Sequence, residues 1–379
     1  QKLGDKVSSI FVPIVILISI GTYFISHFIF DIDSVDAFLR SIAVLVISCP
    51  CAMGLATPTA IMVGIGRAAK NGILIKGGIT LEKIGKIKNI AFDKTGTITT
   101  GKFKIAQLNI ISGDEYEIKN IIYNLEKHSS HPIANSIINE LSDYSKELKL
   151  NDIYEKNGFG VSASFNGSSY FIGKNFDESK DQKFDIYLKK DNNIIATIDI
   201  KDEIKKGTKE VFKNLKENKY TTTLISGDHK DKCDQLNQIL SFNKVYSNQL
   251  PEEKLKIIEK LNINNDTIML GDGINDAPAL SKAFLGISLG NASQIAQQSS
   301  EIILLNKDNL NQLPKALKIG KHTLKTIKQN LFWAFSYNII AIPIACLGYL
   351  NPMWAALFMA FSDIVVIGNS IRLKFKKIF

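Results

Sequence analysis

The sequence predicts an α/β cytoplasmic domain built on a parallel sheet, with an inserted α+β domain and four transmembrane helices. Three observations support this prediction. Charge-free apolar runs lie near both ends of the chain, short β-like runs in the middle each end in a polar loop that contains Asp, and helical patterns separate those runs. Alternating strands and helices favour a parallel sheet, whose ligands lie beyond the carboxyl ends of its strands. Functional residues are therefore expected at those strand ends.

The apolar runs are long enough to cross a bilayer. No Asp, Glu, Lys or Arg occurs at positions 7–30, 41–66 or 329–362. Because a helix needs about 20 mostly apolar residues to span the hydrocarbon, the third run holds two helices, which Gly348–Pro352 separates. The predicted spans are 8–30, 38–63, 330–349 and 352–371.

The distribution of charge predicts how these spans are oriented. Lysine-rich flanks adjoin the apolar runs, whereas the loop Asp31–Asp36 is acidic, so the positive-inside rule places both termini and the middle segment in the cytoplasm. The chain of 379 residues has a net charge of +9, but its lysines are interleaved with acidic residues. We expect a multi-pass protein of a bacterial-type plasma membrane and no nucleic-acid partner.

The four cysteines give no disulfide framework. Cys49 and Cys51 are separated only by Pro50, which is too close for an easy disulfide, and both lie inside an apolar run. A reducing compartment is therefore expected for the soluble part. Ionisable groups at this depth in a membrane are usually functional, and a proline breaks the helix so that both sulfurs can face one cavity. Soft thiolates select ions such as copper(I), silver, zinc or cadmium.

Residues suited to phosphoryl transfer follow three β-like runs. Asp93 follows NIAF and opens DKTGTIT, and a carboxylate at a strand end can act as a nucleophile when cations screen its charge. Asp272 and Asp276 follow TIML, and with Asp93 they would form an oxygen-rich site suited to Mg²⁺. Lys254 would add a fixed positive charge. Hydroxyl and backbone N–H groups near the phosphate would come from Thr95, Gly96 and Thr97 and from Ser226, Gly227 and Asp228.

These motifs together resemble those of P-type transport ATPases, which belong to the haloacid-dehalogenase-like superfamily. DKTGTIT is similar to the phosphorylation motif and GDGINDAPAL to the hinge motif, while Ser226 stands where the family usually has threonine. The resemblance implies a haloacid-dehalogenase-like Rossmannoid sheet, phosphorylation of Asp93 by ATP, and Mg²⁺ bound by Asp93, Thr95 and Asp272. It implies catalytic roles for Asp93, Lys94, Thr95, Thr97, Ser226, Gly227, Asp228, Lys254, Asn275 and Asp276.

The segment LEKHSSHPIA resembles a signature of the heavy-metal branch, in which the histidine packs against adenine. Ser130 stands in place of the usual acidic residue before that histidine. NGFGV and IGKN resemble two glycine signatures of the same pocket, and the resemblance implies that ATP binds between the inserted domain and the sheet domain. The implied nucleotide-binding residues are Glu126, His131, Pro132, Gly158, Gly160 and Gly173.

The membrane segments resemble those of the copper(I) subgroup. CPCAMGLATPTA is closer to the copper form of this motif than to the zinc and cadmium form. Asp363 departs from the copper pattern, which has serine there, and a hard carboxylate keeps zinc or a broader soft-metal selectivity open. The implied ligands of the transported ion are Cys49, Cys51, Tyr337, Asn338, Met359 and Asp363.

The resemblance also divides the chain into five segments. One of them interrupts the strand order with a helical segment and short β-like pieces, as an inserted domain would. The predicted segments are 1–66 with two transmembrane helices including the CPC span, 67–111 and 201–325 as the two parts of the phosphorylation domain, 112–200 as the nucleotide-binding domain, and 326–379 with two C-terminal transmembrane helices.

The T-G-E sequence of the family's actuator domain does not occur in the chain. We therefore expect a carboxyl-terminal fragment that is phosphorylated at Asp93 but, on its own, loses the phosphate slowly and transports little. The expected partners are the lipid bilayer, the transported metal ion, a copper chaperone and the amino-terminal part of the pump.

The most favoured function is ATP-driven export of copper(I), or of another soft metal ion, through an aspartyl-phosphate intermediate. A zinc- or cadmium-transporting ATPase stays open because of Asp363. A membrane-tethered phosphatase of the same superfamily would explain the cytoplasmic motifs but neither the CPC motif nor the nucleotide signatures. The remaining alternative is a non-enzymatic metal-binding membrane protein, which would form no phosphoenzyme.

Overall fold

The chain forms two compact units in a computed structural model. The first unit consists of Gln1–Asp93 and Gly207–Phe379, and the second consists of Lys94–Lys206. The second unit includes the predicted insert at 112–200, while the predicted domain limits remain predictions. The structure describes residues 2–129, 132–156, 159–173 and 184–377, with the side chains of 2–8, 102 and 132 excepted.

The first unit begins with apolar helices and with two strands of its sheet. A helix satisfies its own backbone hydrogen bonds, which suits an uncharged segment that lies in lipid. The second predicted span is two helices, since the first ends at Ile47, the chain turns at Pro50 and the next helix begins at Cys51. The elements are α1 (Lys2–Phe28), α2 (Ser34–Ile47), α3 (Cys51–Lys70), β1 (Ile73–Ile75), α4 (Gly78–Ile84) and β2 (Asn89–Phe92).

The second unit is an α+β domain, as the sequence predicts. Its elements are β3 (Thr99–Ile110), α5 (Glu115–Glu126), α6 (Pro132–Glu140), β4 (Asn151–Lys156), β5 (Gly160–Phe165), β6 (Ser168–Gly173), β7 (Ile186–Lys190) and β8 (Asn193–Ile204). The described strands form an antiparallel sheet in the order β3-β8-β7-β6-β5-β4. Leu125 of α5 and Ile137 of α6 share a buried core with Ile172 and Leu188 of the sheet. One face of the sheet is thereby removed from water.

The chain then returns to the first unit and completes its sheet. Helices alternate with short strands, which is the order expected of parallel crossovers. The elements are α7 (Thr208–Glu217), β9 (Thr221–Ile225), α8 (Lys230–Leu240), β10 (Lys244–Tyr246), α9 (Pro251–Leu261), β11 (Thr267–Leu270), α10 (Ala277–Lys282), β12 (Leu285–Leu289), α11 (Gln294–Ser299), β13 (Ile302–Leu304), α12 (Gln312–Cys346) and α13 (Pro352–Arg372).

The sheet of the first unit is parallel except at one edge. Its described strands have the order β1-β13-β12-β11-β2-β9-β10, and β1 runs antiparallel to β13. The expectation of a purely parallel sheet is therefore corrected to a mixed sheet, because β1 lies at the edge and pairs with β13 alone. Strands β2, β9 and β11 are central and nearly fully buried, which agrees with the absence of charged residues in them. Their carboxyl ends meet at one edge of the sheet.

Among the described residues, three segments are long and apolar enough to cross a membrane: Ser9–Phe28, Ser34–Lys70 and Pro352–Phe375. The fourth predicted span, 330–349, falls mostly in the second half of the continuous helix α12. Polar residues such as Asn338 lower the hydropathy of that half. Length and composition thus support three of the four expected membrane-crossing segments, and insertion of the α12 segment stays a prediction.

Small and polar residues join helices α3, α12 and α13. A Cβ atom on Gly64 would lie 2.6 Å from the hydroxyl of Thr323, so the two helices approach closely there. Asn330 donates hydrogen bonds to the carbonyl of Ala56 at 3.2 Å and to the hydroxyl of Ser370 at 2.8 Å. Lipid offers no alternative partner for such groups, so these bonds fix the three helices against one another.

Replacing Gly160 by Ala is expected to destabilise the second unit by about 1–3 kcal/mol. Gly160 has a φ of +151°, and a Cβ there would run into the carbonyl oxygen of Ile172 on the neighbouring strand. Hydrogen exchange of the backbone amides in β5 and β6 measures this loss of stability. Gly167→Ala is the matched control, since Gly167 has a φ of +80° but open space around it. Equal losses for the two variants would contradict the steric explanation.

Candidate functional site

Three aspartates meet where two adjacent strands end. Asp93 follows β2, and its backbone N–H donates to the carbonyl of Leu270, the last residue of β11, at 2.8 Å. Asp272 and Asp276 come after β11 in the same loop. One carboxylate oxygen from each of the three aspartates lies within 4.8 Å of the other two. The predicted oxygen-rich cluster is therefore present in the structure.

Lys254 of α9 connects two of these carboxylates. Its Nζ donates to Asp93 Oδ1 at 2.5 Å and to Asp276 Oδ1 at 2.8 Å, and all three side chains are buried. The second oxygen of Asp276 accepts a hydrogen bond from the N–H of Gly273. Charge-assisted hydrogen bonds of this kind are short and strong, so the orientation of both carboxylates is fixed.

The electrostatics of this cluster leave an excess of negative charge. Burial and, to a smaller extent, the Asp276 carboxylate raise the pKa of Asp93 to about 7, although Lys254 opposes the shift. Burial would lower the pKa of Lys254, but the Asp93 and Asp276 carboxylates together raise it above its usual value. Three clustered carboxylates beside one lysine fit a hard divalent cation such as Mg²⁺, which prefers oxygen ligands.

The next strand, β9, places further predicted residues at the same edge of the sheet. Ser226 follows β9 directly and is buried, and its Oγ accepts a hydrogen bond from the N–H of Asp228 at 3.1 Å. Gly227 is exposed between them, and Asn275 is exposed in the turn after β11. Because β9 pairs with β2 in parallel, the hydroxyl of Ser226 and the carboxylate of Asp93 end neighbouring strands.

The residues after Asp93 form an irregular turn at the start of the second unit. Lys94 and Thr97 are buried and Thr95 is exposed. Gly96 has a φ of 72°, a left-handed conformation that glycine adopts without a steric penalty. The carbonyl of Gly96 accepts a hydrogen bond from Lys205 Nζ at 2.6 Å.

Sequence reasoning missed Lys205. This lysine is buried at 3% exposure, although the charged run KDEIKK around it is typical of a solvated surface. The same turn is held by Thr99, whose Oγ1 accepts from the N–H of Gly96 and donates to Asp202 at 2.5 Å. Only the pairing of β3 with β8 brings these residues together, so a single sequence carries no local signal for them.

Part of the predicted nucleotide-binding set lies in the described second unit. Glu126 is buried at the end of α5, where burial and, to a smaller extent, the Glu155 carboxylate raise its pKa to about 7. Gly160 and Gly173 face each other on β5 and β6. Pro132 begins α6, as a helix-start proline does. His131 and Gly158 lie outside the described residues.

The structure joins Cys49 and Cys51 in a disulfide. The expectation that the pair is too close for this bond is therefore wrong. The chain ends α2 at Ile47 and turns at Pro50, which sets the two Cα atoms 5.4 Å apart, within the usual range for a disulfide. The turn does direct both sulfurs to one place, as the proline predicts.

The other predicted membrane ligands lie on α12 and α13, two helices that pack against the residues on both sides of this turn. One buried apolar cluster joins Ile47 of α2 to α12 and to Ala355 of α13, and a second joins Ala52 of α3 to α12 and to Val366 of α13. The turn between α2 and α3 lies between the two clusters. On α12, Tyr337 and Asn338 lie in sequence between the residues that belong to the two clusters. On α13, Met359 and Asp363 lie between cluster residues in the same way. In the described chain, Tyr337 Oη and Asp363 Oδ1 are buried without a hydrogen-bond partner.

Residues 87–283 match the family model of haloacid dehalogenase-like hydrolases. This match includes Asp93, Asp272, Asp276 and Lys254, which we call the strand-edge cluster. The chain belongs to this family. Its mixed α/β sheet and the convergence of Asp93, Lys254 and Asp276 agree with that assignment.

Two curated relatives confirm the resemblance to heavy-metal P-type ATPases. The chain is 38% identical to a probable copper-importing P-type ATPase A of Enterococcus hirae, with 100% of this chain and 54% of the relative covered. It is also 38% identical to a copper-exporting P-type ATPase of Staphylococcus saprophyticus, with 100% of this chain and 50% of the relative covered. The chain therefore spans about half the length of the curated relatives it matches.

Two solved structures confirm the fold class. A zinc-transporting PIB-type ATPase in its E2.Pi state matches with a TM-score of 0.82 at 26% identity, over 98% of this chain and 63% of the other. The catalytic domain of the CPx-ATPase CopB-B matches with a TM-score of 0.60 at 31% identity, over 68% of this chain and 98% of the other. The first match covers the membrane helices as well as the two units.

Replacing Glu126 by Gln is expected to flatten the pH dependence of stability of the second unit. The folded pKa of Glu126 is raised from 4.5 to about 7, so the folded state binds this proton more tightly. Wild-type stability should fall as pH rises from about 4.5 to 7, by up to roughly 3 kcal/mol, and level off above that. Thermal unfolding across this range measures the slope. Glu117→Gln, in the exposed first turn of α5, is the control, and an unchanged slope in Glu126→Gln would contradict the assignment.

Proposed function

We propose that this chain carries out the phosphorylation and ion-binding steps of an ATP-driven pump that exports a soft metal ion, most favourably copper(I). The observation that carries the proposal is the cluster of buried Asp93, Lys254 and Asp276 with half-buried Asp272 at one sheet edge. The curated relatives, which are named copper-transporting P-type ATPases, support the choice of cargo. The pump's activity, cargo and partners belong to the proposal because this chain spans only about half of those relatives.

The proposed chemistry is transfer of the γ-phosphoryl group of ATP to Asp93. A carboxylate oxygen of Asp93 forms a bond to the γ-phosphorus while the bond to the bridging oxygen of ADP breaks, and ADP leaves. Lys254 holds the carboxylate in place and neutralises part of the incoming charge. Asp93, Thr95 and Asp272 are the proposed Mg²⁺ ligands, and a bound Mg²⁺ would screen the repulsion between phosphate and carboxylate oxygens.

ATP itself is proposed to bind to the second unit. Glu126, Gly160 and Gly173 are the described residues in this role, with His131, Pro132 and Gly158 as the remaining members of the set. Gly160 and Gly173 let β5 and β6 approach closely, since a Cβ on either would meet backbone of the other strand, and this pair is proposed to line the nucleotide pocket. Lys94, Thr97, Ser226, Gly227, Asp228, Asn275 and Asp276 complete the proposed catalytic set.

The proposed cargo site is the turn between α2 and α3. Reduced Cys49 and Cys51 would offer two thiolates, and Tyr337, Asn338, Met359 and Asp363 would offer further ligands at the same level. The two buried polar atoms on Tyr337 and Asp363 favour a ligand at this level, since such atoms are costly to leave unpaired.

Coupling between the two sites is proposed to run through the chain itself. The span that carries Cys51 continues through α3, β1 and α4 to β2, which ends at Asp93. Helix α12 is continuous from the sheet region to the bundle. A rigid-body switch of these elements would close the inner access to the metal and open the outer one. A copper chaperone is the proposed donor of the metal.

A zinc- or cadmium-transporting pump is the second candidate. Asp363 favours it, because a carboxylate beside two thiolates suits a divalent borderline ion better than copper(I). The solved zinc-transporting relative is consistent with this reading. The membrane-tethered phosphatase accounts for the strand-edge cluster but not for the cysteine pair. The non-enzymatic metal-binding protein accounts for the cysteine pair but not for the strand-edge cluster.

The chain in reducing buffer is expected to form an acid-stable phosphoenzyme from γ-labelled ATP, and copper(I) or silver should stimulate it. Asp93→Asn should abolish the label because it removes the nucleophile, and Cys51→Ala should abolish the metal stimulation. Cys346→Ala is the matched control, since it removes another membrane cysteine and should leave the stimulation intact.

The same assay separates the alternatives. Labelling that ignores every metal and the Cys51 change would refute the cargo proposal. No label at all would favour a non-enzymatic metal-binding protein. Hydrolysis of small phosphate esters without any dependence on ATP or metal would favour the membrane-tethered phosphatase.

Replacing Asp363 by Ser is expected to shift the metal preference toward copper(I). The change removes the hard carboxylate, so zinc stimulation of phosphorylation should fall by about tenfold or more relative to copper(I) stimulation. Ser362→Ala is the control, since it alters the neighbouring position without changing charge. If the ratio of zinc to copper(I) stimulation were the same in Asp363→Ser and wild type, Asp363 would have no part in cargo selection.

A further inference from the structure

The ends of α3, α12 and α13 near the carboxyl terminus carry a group of basic side chains, which we call the basic cluster. It consists of Arg67 in the last turn of α3, His322 and Lys325 on α12, and Arg372 and Lys376 at and after the end of α13. None of these residues belongs to the strand-edge cluster or to the proposed cargo site.

Arg67 is the buried member of the basic cluster. It is only 7% exposed, and its Nη2 donates a hydrogen bond to the backbone carbonyl of Lys376. Its Nη1 is buried and has no hydrogen-bond partner among the described residues. A buried guanidinium is costly unless an anion pairs with it, and this one meets a neutral carbonyl instead.

His322 shows the same lack of a partner. Its Nδ1 is buried without a hydrogen bond in the described chain, and the same is true of Thr326 Oγ1, one helical turn further along α12. Burial lowers the pKa of His322, and every charged neighbour that lowers it further is a cation: Arg67, Lys376, Lys318 and Lys325.

Neighbouring cations also act on Lys376. Its pKa is lowered first by burial and then by the charges of Lys325, Arg372 and Arg67. Like charges held together in this way destabilise the fold unless a counter-ion joins them. These described cations therefore create a positive electrostatic potential. The buried donors of Arg67 and His322 lie within it.

The position of the basic cluster indicates what kind of anion would complete it. Arg67 and Arg372 lie near the ends of two membrane-crossing segments, and Lys325 lies just before the apolar half of α12. By the predicted orientation, this is the cytoplasmic surface of the bilayer, where phosphate groups of anionic lipids are concentrated. A guanidinium is well suited to phosphate because its planar fork donates two parallel hydrogen bonds.

We propose that the basic cluster binds a phosphate anion, supplied by the headgroup of an anionic phospholipid. Arg67 would donate from Nη1, His322 from its imidazole, and Lys376 and Lys325 would balance the charge. The site is independent of the proposed pump chemistry, since it shares no residue with it.

The test uses the full chain reconstituted in bilayers of equal parts phosphatidylglycerol and phosphatidylcholine. After mild extraction, native mass spectrometry counts the lipids that stay bound. Wild type should retain phosphatidylglycerol in preference to phosphatidylcholine. His322→Gln and Arg67→Gln should each lower that retention by about tenfold, the size expected for one charge-assisted hydrogen bond. Lys374→Gln is the matched control, since Lys374 is exposed and next to the cluster, and it should retain lipid as wild type does.

A second arm distinguishes the source of the phosphate. Inorganic phosphate added during extraction should not displace the retained lipid if the headgroup is the ligand, and full displacement would overturn the lipid assignment. Retention that is equal in wild type, His322→Gln and Lys325→Gln would overturn the site altogether. If Arg67→Gln fails to fold, His322→Gln and Lys325→Gln still test the proposal. The hydrogen bond to the Lys376 carbonyl comes from Arg67, so these two changes leave it in place.

Discussion

The contact on which the cytoplasmic site depends is the pair of ionic hydrogen bonds from Lys254 to Asp93 and Asp276. Three carboxylates converge there, two of them buried, and among the described residues Lys254 is the lysine that bridges them. Buried like charges are tolerated when a cation bridges them, and the bridge fixes the geometry of the carboxylates at the same time. The strand order makes this possible, because β2 and β11 are neighbours and end at one edge. The excess of negative charge suits the proposed divalent ion, which would in turn screen the carboxylates from an incoming phosphate.

The membrane part depends on a different constraint, which is the break at Pro50. A continuous helix would place Cys49 and Cys51 on different faces, whereas the turn lets their sulfurs meet. The two apolar clusters on either side hold α12 and α13 at the same level. Since α12 runs without interruption from the sheet region into the bundle, a movement at one end has a rigid path to the other. The chain thus connects the proposed phosphorylation site covalently to the proposed site for a soft ion.

Much of this architecture could be predicted from the sequence because its signals are local. Uncharged runs predicted the membrane helices, and short β-like runs followed by polar loops that contain Asp predicted the central strands. Features that depend on distant pairing could not be predicted. Lys205 and Asp202 reach the Gly96 turn only through the pairing of β3 with β8, and β1 pairs at the sheet edge with β13, more than 200 residues later. The Cys49–Cys51 bond was missed because the separation in sequence was judged without the turn geometry at Pro50.

The most direct test of the central claim is to locate the phosphorylated residue. After reaction with ATP, borohydride reduction of an aspartyl phosphate converts that residue to homoserine, and mass spectrometry of the peptides then identifies the position. The account predicts homoserine at position 93, in the peptide that contains KNIAFDKTGTITTGK. Homoserine at another aspartate would contradict it, as would a phosphate that resists reduction and remains on a serine or threonine.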